Sequence, residues 1–329
     1  MTAFAQSIVG VIVIGRNEGE RLRRCLASTL PDATALVYVD SGSTDGSPDL
    51  ARAMGADVVA LDMKQPFTAA RARNAGCIRL RALLPNVEHV QFVDGDCEVD
   101  KAWIARASAF LQANPEVAAV CGRRRELFPE HSVYNRLCDI EWNTPVGETK
   151  ACGGDVLMRA DALQQVGGYR DELIAGEEPE LCVRLRARGW RIWRLDAEMT
   201  RHDAAMTRFV QWWRRSKRAG FAFGEGARLH GAPPERHWMR EARSAWVWGA
   251  LMPVATIAAA IAWGPPALLG FLVYPLQVAR LGLGLSGLGP ARWPRALFLV
   301  LGKFPEAQGL FQSWWMHLRQ RRAVLIEYK

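Results

Sequence analysis

The stretch Val90-Gln91-Phe92-Val93-Asp94-Gly95-Asp96 decides how this chain is read. An apolar run of strand length stops abruptly in two carboxylates separated by glycine. In an open α/β sheet, ligands bind beyond the carboxyl ends of the strands, so both acids would sit at the mouth of a site. Asp-x-Asp alone is short and common by chance. The competing reading is a solvated turn, or a cap for the helix that begins near Lys101.

Working outward, a strand at 36–39 ends in Asp40 followed by Ser41-Gly42-Ser43-Thr44-Asp45, and a first strand at 8–14 ends in Gly15-Arg16-Asn17-Glu18. Three strand ends thus carry polar, glycine-relieved turns. An acid facing a base or ribose, with glycine letting backbone approach a phosphate, is what a nucleotide site requires. Further strands are expected at 58–61 and 117–121. Amphipathic helices are expected at 18–28, where Leu22, Cys25 and Leu26 share a face, and at 69–84. Alternation of β-branched runs with such helices up to about Leu195 predicts an α/β fold with a mostly parallel sheet. Neither GxGxxG nor GxxxxGK[ST] occurs, which argues against a dinucleotide oxidoreductase or a P-loop NTPase.

The 329 residues and 50% hydrophobic content suffice for one large domain and a smaller appendage. A net charge of +8 suits an anionic partner. The seven cysteines are odd in number, scattered and without a CxxC pair, so reduced thiols are expected rather than a disulfide framework or a zinc knuckle. The first ten residues lack the pattern of a secretory signal.

The character changes after about Arg208. A basic, aromatic segment at 209–218 leads into apolar sequence, and between Arg243 and Arg280 no residue is charged. With about 20 apolar residues needed per crossing, two tight membrane helices fit, turning at Gly264-Pro265-Pro266. Arginines at both ends place both in the cytoplasm. Trp246, Trp248, Trp263 and Tyr274 lie near the expected interfaces; the competing readings are a buried helical pair and a shallow re-entrant arrangement. The tail interleaves Trp293, Phe298, Phe304, Phe311, Trp314 and Trp315 with Arg295, Lys303, Arg319, Arg321 and Arg322, as in amphipathic interfacial helices. Beside membrane-like sequence these bases point to anionic lipid, and no nucleic-acid motif is present. The expected divisions are a catalytic domain over 1–208, an interfacial segment over 209–243, a hairpin over 244–287 and a basic tail over 288–329.

Over 11–202 the pattern resembles family 2 glycosyltransferases of the GT-A fold, a Rossmann-like sheet that binds nucleotide-diphospho-sugars. The resemblance rests on the Ile14-Gly15-Arg16-Asn17-Glu18 opening, Asp40 to Asp45, Ala72-Arg73-Asn74-Ala75-Gly76, Asp94-Gly95-Asp96, and Gly176-Glu177-Glu178-Pro179-Glu180-Leu181 with Arg184-Leu185. It implies that Asp40 contacts the nucleobase with Arg73 nearby, that Asp94 faces the ribose, and that Asp96 binds Mn²⁺ or Mg²⁺ bridging the diphosphate. A hard cation with oxygen ligands suits that task. His202, expected after the last strand, is implied as a further metal ligand; read by itself it is a surface residue.

The family usually shows Glu-Asp where this chain has Glu177-Glu178, so Glu178 takes the general-base position with Glu177 as rival. Acids favouring a helix N-terminus explain one of the three carboxylates there. Asp155, after Gly153-Gly154, is implied at the acceptor subsite. Gln211-Trp212-Trp213-Arg214-Arg215 partly resembles the Gln-x-x-Arg-Trp motif of processive synthases, with Arg215 replacing the final Trp. Arg214, Arg215 and Arg218 suit either a diphosphate or lipid anchoring. Together these features imply an inverting hexosyltransferase at the cytoplasmic membrane, its catalytic domain facing the cytoplasm. It would move one sugar from a nucleotide-sugar, UDP-linked, to a lipid-linked or glycan acceptor in exopolysaccharide assembly. The alternatives are a polyprenyl-monophosphate sugar synthase and an inert membrane scaffold.

Overall fold

A computed structural model describes residues 7–319. Arg321, Arg322 and residues 1–6 lie outside the described residues. The chain divides into two units between Ala205 and Met206.

In the first unit the elements run β1 (Val9–Gly15), α1 (Glu20–Thr29), β2 (Ala35–Asp40), α2 (Ser47–Ala53), β3 (Asp57–Ala60), α3 (Ala69–Leu83), β4 (His89–Asp94), β5 (Cys97–Val99), α4 (Trp103–Ala113), β6 (Val117–Glu126), α5 (Val133–Trp142), β7 (Gly147–Glu148), β8 (Val156–Arg159), α6 (Ala160–Gln165), α7 (Glu177–Ala187) and β9 (Arg191–His202). They build one sheet of order β3-β2-β1-β4-β8-β6-β9-β5, with β7 paired to β9. The run β3-β2-β1-β4 is parallel, as its Val- and Ile-rich strands predict, because a strand covered on both faces needs apolar residues at every position. Beyond β4 the sheet is mixed: β8 enters antiparallel to both β4 and β6, and β5 and β7 run antiparallel to β9. The parallel pattern therefore holds for only part of the sheet.

Helices cover both faces and form two buried clusters. One packs Leu22, Cys25 and Leu26 of α1 and Trp103 of α4 against one face. The other packs Leu80 of α3 and Leu181 and Leu185 of α7 against the opposite face. α3 begins where Thr68 Oγ1 accepts the Arg71 N–H at 3.0 Å, a side-chain N-cap. Gly76 brings α3 close to β1, for a Cβ there would enter the Ile12 side chain. This pulls α3 against the sheet and fixes where its first turns, including Arg73, meet the strand ends.

The second unit comprises α8 (Phe209–His230), α9 (Met239–Trp246), α10 (Met252–Trp263), α11 (Val273–Gly284), α12 (Arg292–Leu301) and α13 (Lys303–Leu318). Helical turns at Val247–Leu251 and Pro265–Leu272 extend α9–α10 and α11, giving two helices, Met239–Trp263 and Pro265–Gly284, long and apolar enough to cross a membrane. They separate at Gly264, whose φ of 92° no helix continues. Tyr274 donates to the Trp248 carbonyl at 2.7 Å and Gly270 abuts Thr256, so the pair is an antiparallel hairpin. Ile261 and Trp263 at its tip are more than 80% exposed, an apolar surface of the kind that marks a membrane or protein interaction site.

α8 and α13 pack backbone to backbone. A Cβ on Gly309 would collide with the Lys217 carbonyl, and one on Gly220 with the Glu306 carbonyl. Backbone cannot yield as a side-chain tip can, so Gly309→Val should destabilise this unit by about 1–3 kcal/mol. The check is the melting temperature of the detergent-solubilised protein; an unchanged value would contradict this packing.

Candidate active site

The ends of β1, β2 and β4 gather the polar turns. Asn17, at φ 56°, donates its N–H to Ser43 Oγ at 2.9 Å and accepts the Thr44 N–H on Oδ1 at 2.7 Å, tying the first turn to the second. Asp40 Oδ2 accepts the N–H groups of Gly42 and Ser43, each at 3.0 Å, and Oδ1 accepts the Tyr38 hydroxyl at 3.2 Å. The carboxylate thereby shapes its own turn, a role beyond the nucleobase contact the sequence implies.

Arg73 is buried between two acids. Its Nη2 meets Asp94 Oδ1 at 2.8 Å and its Nη1 meets Glu177 Oε1 at 2.6 Å, while Tyr169 lies under the guanidinium at 5.6 Å. Burial opposes the charge, but Asp94 and Glu177 outweigh it and hold Arg73 protonated. Gly154 completes this wall: a Cβ there would sit 2.7 Å from Asp94 Oδ2 and 2.9 Å from Arg73 Nη2. The strand-end acid, α3 and the start of α7 are thus joined through one guanidinium.

Asp96 faces His202, Nε2 to Oδ2 at 3.3 Å. His202 closes β9 rather than following the last strand, because β9 runs on past Leu195 and pairs its last residue with Cys97. His202 is buried, not a surface residue. Burial, helped by Arg124, lowers its pKa to about 4, so its imidazole is neutral at physiological pH, the form that ligates metal. The Trp142 edge packs against its ring at 4.9 Å, and its buried Nδ1 has no hydrogen-bond partner. One ligand atom each from Asp96, Cys97 and His202 lie within 4.8 Å of one another. A carboxylate and a neutral imidazole converging in this way fit a divalent cation.

Asp155 requires a correction. It is 0% exposed, and its Oδ1 accepts the Asp94 N–H at 3.0 Å while its Oδ2 accepts the Thr200 hydroxyl and pairs with Arg124, both at 2.8 Å. Both oxygens are engaged by the sheet, with a buried ion pair to Arg124 that holds the carboxylate in the interior rather than at an acceptor. It anchors the end of β4 to β6 and β9. Asp155→Asn leaves Arg124 as an uncompensated buried charge, and the expected cost is about 3–5 kcal/mol in calorimetric stability. An unchanged melting temperature would contradict that anchoring role.

Glu177, Glu178 and Glu180 open α7 after Gly176, whose φ is 77°. They are held differently. Glu180 is gripped by Arg170 and Arg184 at 2.8 Å. Glu178 is 1% exposed; Oε1 accepts the Cys152 N–H at 3.0 Å and the Cys182 thiol at 2.9 Å, and Oε2 accepts the Gly153 N–H at 2.9 Å. Burial raises its pKa above the ordinary carboxylate value, against the pull of those hydrogen bonds. The carboxylate expected to be open to an acceptor is therefore clasped by the 152–153 turn. The sequence reading missed Arg124, Thr200, Tyr169 and Cys182. Only Arg124 left a signal, as the middle of three arginines on a strand, where alternate positions must turn inward.

Gln211, Arg214, Arg215 and Arg218 lie on α8 in the second unit. Gln211 Oε1 accepts the N–H groups of Thr207 and Arg208, each at 3.0 Å, so it caps the helix.

Residues 10–151 match the sequence model of glycosyl transferase family 2. Over that stretch, about two fifths of its length, the chain is similar to glycosyl transferase family 2. The succinoglycan biosynthesis proteins ExoA and ExoU of Rhizobium meliloti are 28% and 29% identical to this chain, over 56% and 58% of its length. The chain spans 60% of the length of each. Among solved structures, a mannosyltransferase from Pyrobaculum calidifontis, in complex with GDP-Man and Mn²⁺, superposes with a TM-score of 0.63 at 19% identity, covering 95% of this chain and 88% of its own. Glucosyl-3-phosphoglycerate synthase from Mycobacterium tuberculosis, in complex with Mn²⁺ and UDP-glucose, gives 0.51 at 16% identity over 69% of this chain and 80% of its own. At these identities the likeness speaks to the fold, which is GT-A.

Proposed function

We propose that this chain is a family 2 glycosyltransferase, inverting and metal-dependent. It would move one sugar from a UDP-sugar to a polyprenyl-diphosphate-linked acceptor, in exopolysaccharide assembly at the cytoplasmic membrane. The observation that carries this reading is the pairing of Asp96 with a neutral His202, 3.3 Å apart, beside Asp94 and Arg73 at the same strand ends. Relatives named for succinoglycan biosynthesis and fold neighbours holding Mn²⁺ with nucleotide-sugars support it. The two membrane-length helices support a lipid-linked acceptor.

In this reading Asp96 and His202 would hold Mn²⁺ or Mg²⁺, which supplies charge neutralisation for the departing nucleoside diphosphate. Asp94 orients the ribose and Arg73 fixes Asp94. Asp40 keeps the base-binding turn closed. Glu178, released from the 152–153 turn as an acceptor lodges there, takes the proton of the attacking hydroxyl. One displacement inverts the anomeric centre. Arg214, Arg215 and Arg218 on α8 would bind anionic lipid headgroups.

A second reading has a specific observation behind it. Glu178 is closed to solvent, and a polyprenyl monophosphate acceptor, already anionic, needs no base. The test supplies detergent-solubilised protein with labelled UDP-sugars and either a polyprenyl-diphosphate-sugar or a polyprenyl phosphate. Label in a lipid-linked disaccharide of inverted configuration is expected; label only on the polyprenyl phosphate would replace the first reading with the second.

A further inference from the structure

The arginines on β6 are matched to acids one by one, whereas buried Arg194 on the neighbouring β9 is not. Arg123 pairs with Asp139 at 3.1 Å, Arg124 with Asp155 at 2.8 Å, and Arg125 with Glu198 at 2.6 Å. On β7, Glu148 is taken by Arg191 at 2.9 Å. Arg194 on β9 is 3% exposed, and among the described residues its side chain has no hydrogen bond or ion pair; its Nε is enclosed without a partner. Arg123, 7% exposed, is close enough that Arg194, after burial and Arg125, works against its charge. A buried guanidinium without an acid, beside a second guanidinium, is costly unless an anion completes it.

Its place in the sheet says which anion. Arg194 is in register with Cys121 on β6 and Gly147 on β7. The Cys121 thiol donates to the Trp193 carbonyl at 3.8 Å and neighbours the thiol of Cys152, whose N–H holds Glu178. Arg194 is thus the strand partner of a residue that neighbours the turn clasping the proposed base.

We infer that Arg194, backed by Arg123, is an oxyanion subsite that binds a phosphoryl group on the acceptor side of the centre. A guanidinium fork matches phosphate oxygens in two parallel hydrogen bonds. Assigning that phosphoryl group to the lipid-linked acceptor rests on the proposed function. The binding chemistry itself is shared with free phosphate and diphosphate.

The experiment is calorimetric titration of the full-length, detergent-solubilised protein with farnesyl diphosphate, farnesol, inorganic pyrophosphate, and UDP with Mn²⁺. It compares wild type with Arg194→Met and Arg194→Lys. Removing an unpaired buried charge should leave Arg194→Met folded, and the lysine variant keeps the charge without the fork. Farnesyl diphosphate should bind wild type about tenfold or more tighter than either variant, the loss expected for charge-assisted hydrogen bonds. UDP binding should be equal in all three. Pyrophosphate binding that depends on Arg194 and equals farnesyl diphosphate would uphold the subsite but remove the lipid-linked acceptor. Equal farnesyl diphosphate binding in all three proteins, or a matching loss of UDP, would overturn the subsite.

Discussion

Asp96→Ala is expected to lower sugar transfer at least about 10³-fold while leaving the circular dichroism spectrum and melting temperature near those of the wild type. The magnitude follows from losing a metal that stabilises the leaving diphosphate by several kcal/mol, about 1.4 kcal/mol per tenfold in rate. His202→Ala should act in the same direction and raise the Mn²⁺ concentration needed for half-maximal rate, since the imidazole, kept neutral by burial, faces the same point as Asp96. Raising Mn²⁺ should recover part of the His202→Ala rate and none of the Asp96→Ala rate. Full activity of either variant in EDTA would show that no metal works at this position.

The second large effect separates the two neighbouring acids. Glu178→Gln should reduce kcat about 10²- to 10⁴-fold with little change in donor KM, the usual contribution of a positioned general base. Glu177→Gln should act mainly on donor binding, because Glu177 is committed to Arg73 at 2.6 Å and through it to Asp94. The pH profile adds a sign. Burial raises the Glu178 pKa, and the base works only when ionised, so as pH falls the rate should decline before an ordinary carboxylate would protonate. Glu178→Gln should abolish that acid limb. A Glu178→Gln enzyme with nearly full activity would remove the base role and favour the phosphate acceptor.

Much of the centre was legible in the sequence, and the reasons are local. β1, β2 and β4 could be placed to within a residue, because strands buried on both faces must be apolar throughout and end where glycine and acids begin. The same reasoning put Asp94 at the end of β4 and Asp96 just beyond it, where the structure has them. The hairpin turn at Gly264-Pro265-Pro266 was equally local, since no helix continues through a glycine of positive φ.

What failed depended on partners far along the chain. β9 reads Arg191-Ile192-Trp193-Arg194-Leu195-Asp196-Ala197-Glu198, and its charged positions hide a strand that carries His202 into the interior. Asp155 follows two glycines and looks like a loop acid. It is buried because Arg124 and Thr200 converge on it from β6 and β9, which no local pattern announces. Glu178 looked open because acids cluster at helix starts; only the folded 152–153 turn shows that its oxygens are already in use. The burial of Arg194 without an acid depends on β6 and β7 packing either side of it, which no local pattern announces.

The most direct test of the central claim is release of nucleoside diphosphate by the purified, detergent-solubilised protein, with UDP-, GDP- and dTDP-sugars and an acceptor, with Mn²⁺ and with EDTA, beside Asp96→Ala. The account predicts release of UDP that requires the metal and the acceptor and vanishes in Asp96→Ala. No release from any donor by folded protein, or release that Asp96→Ala leaves intact, would contradict it.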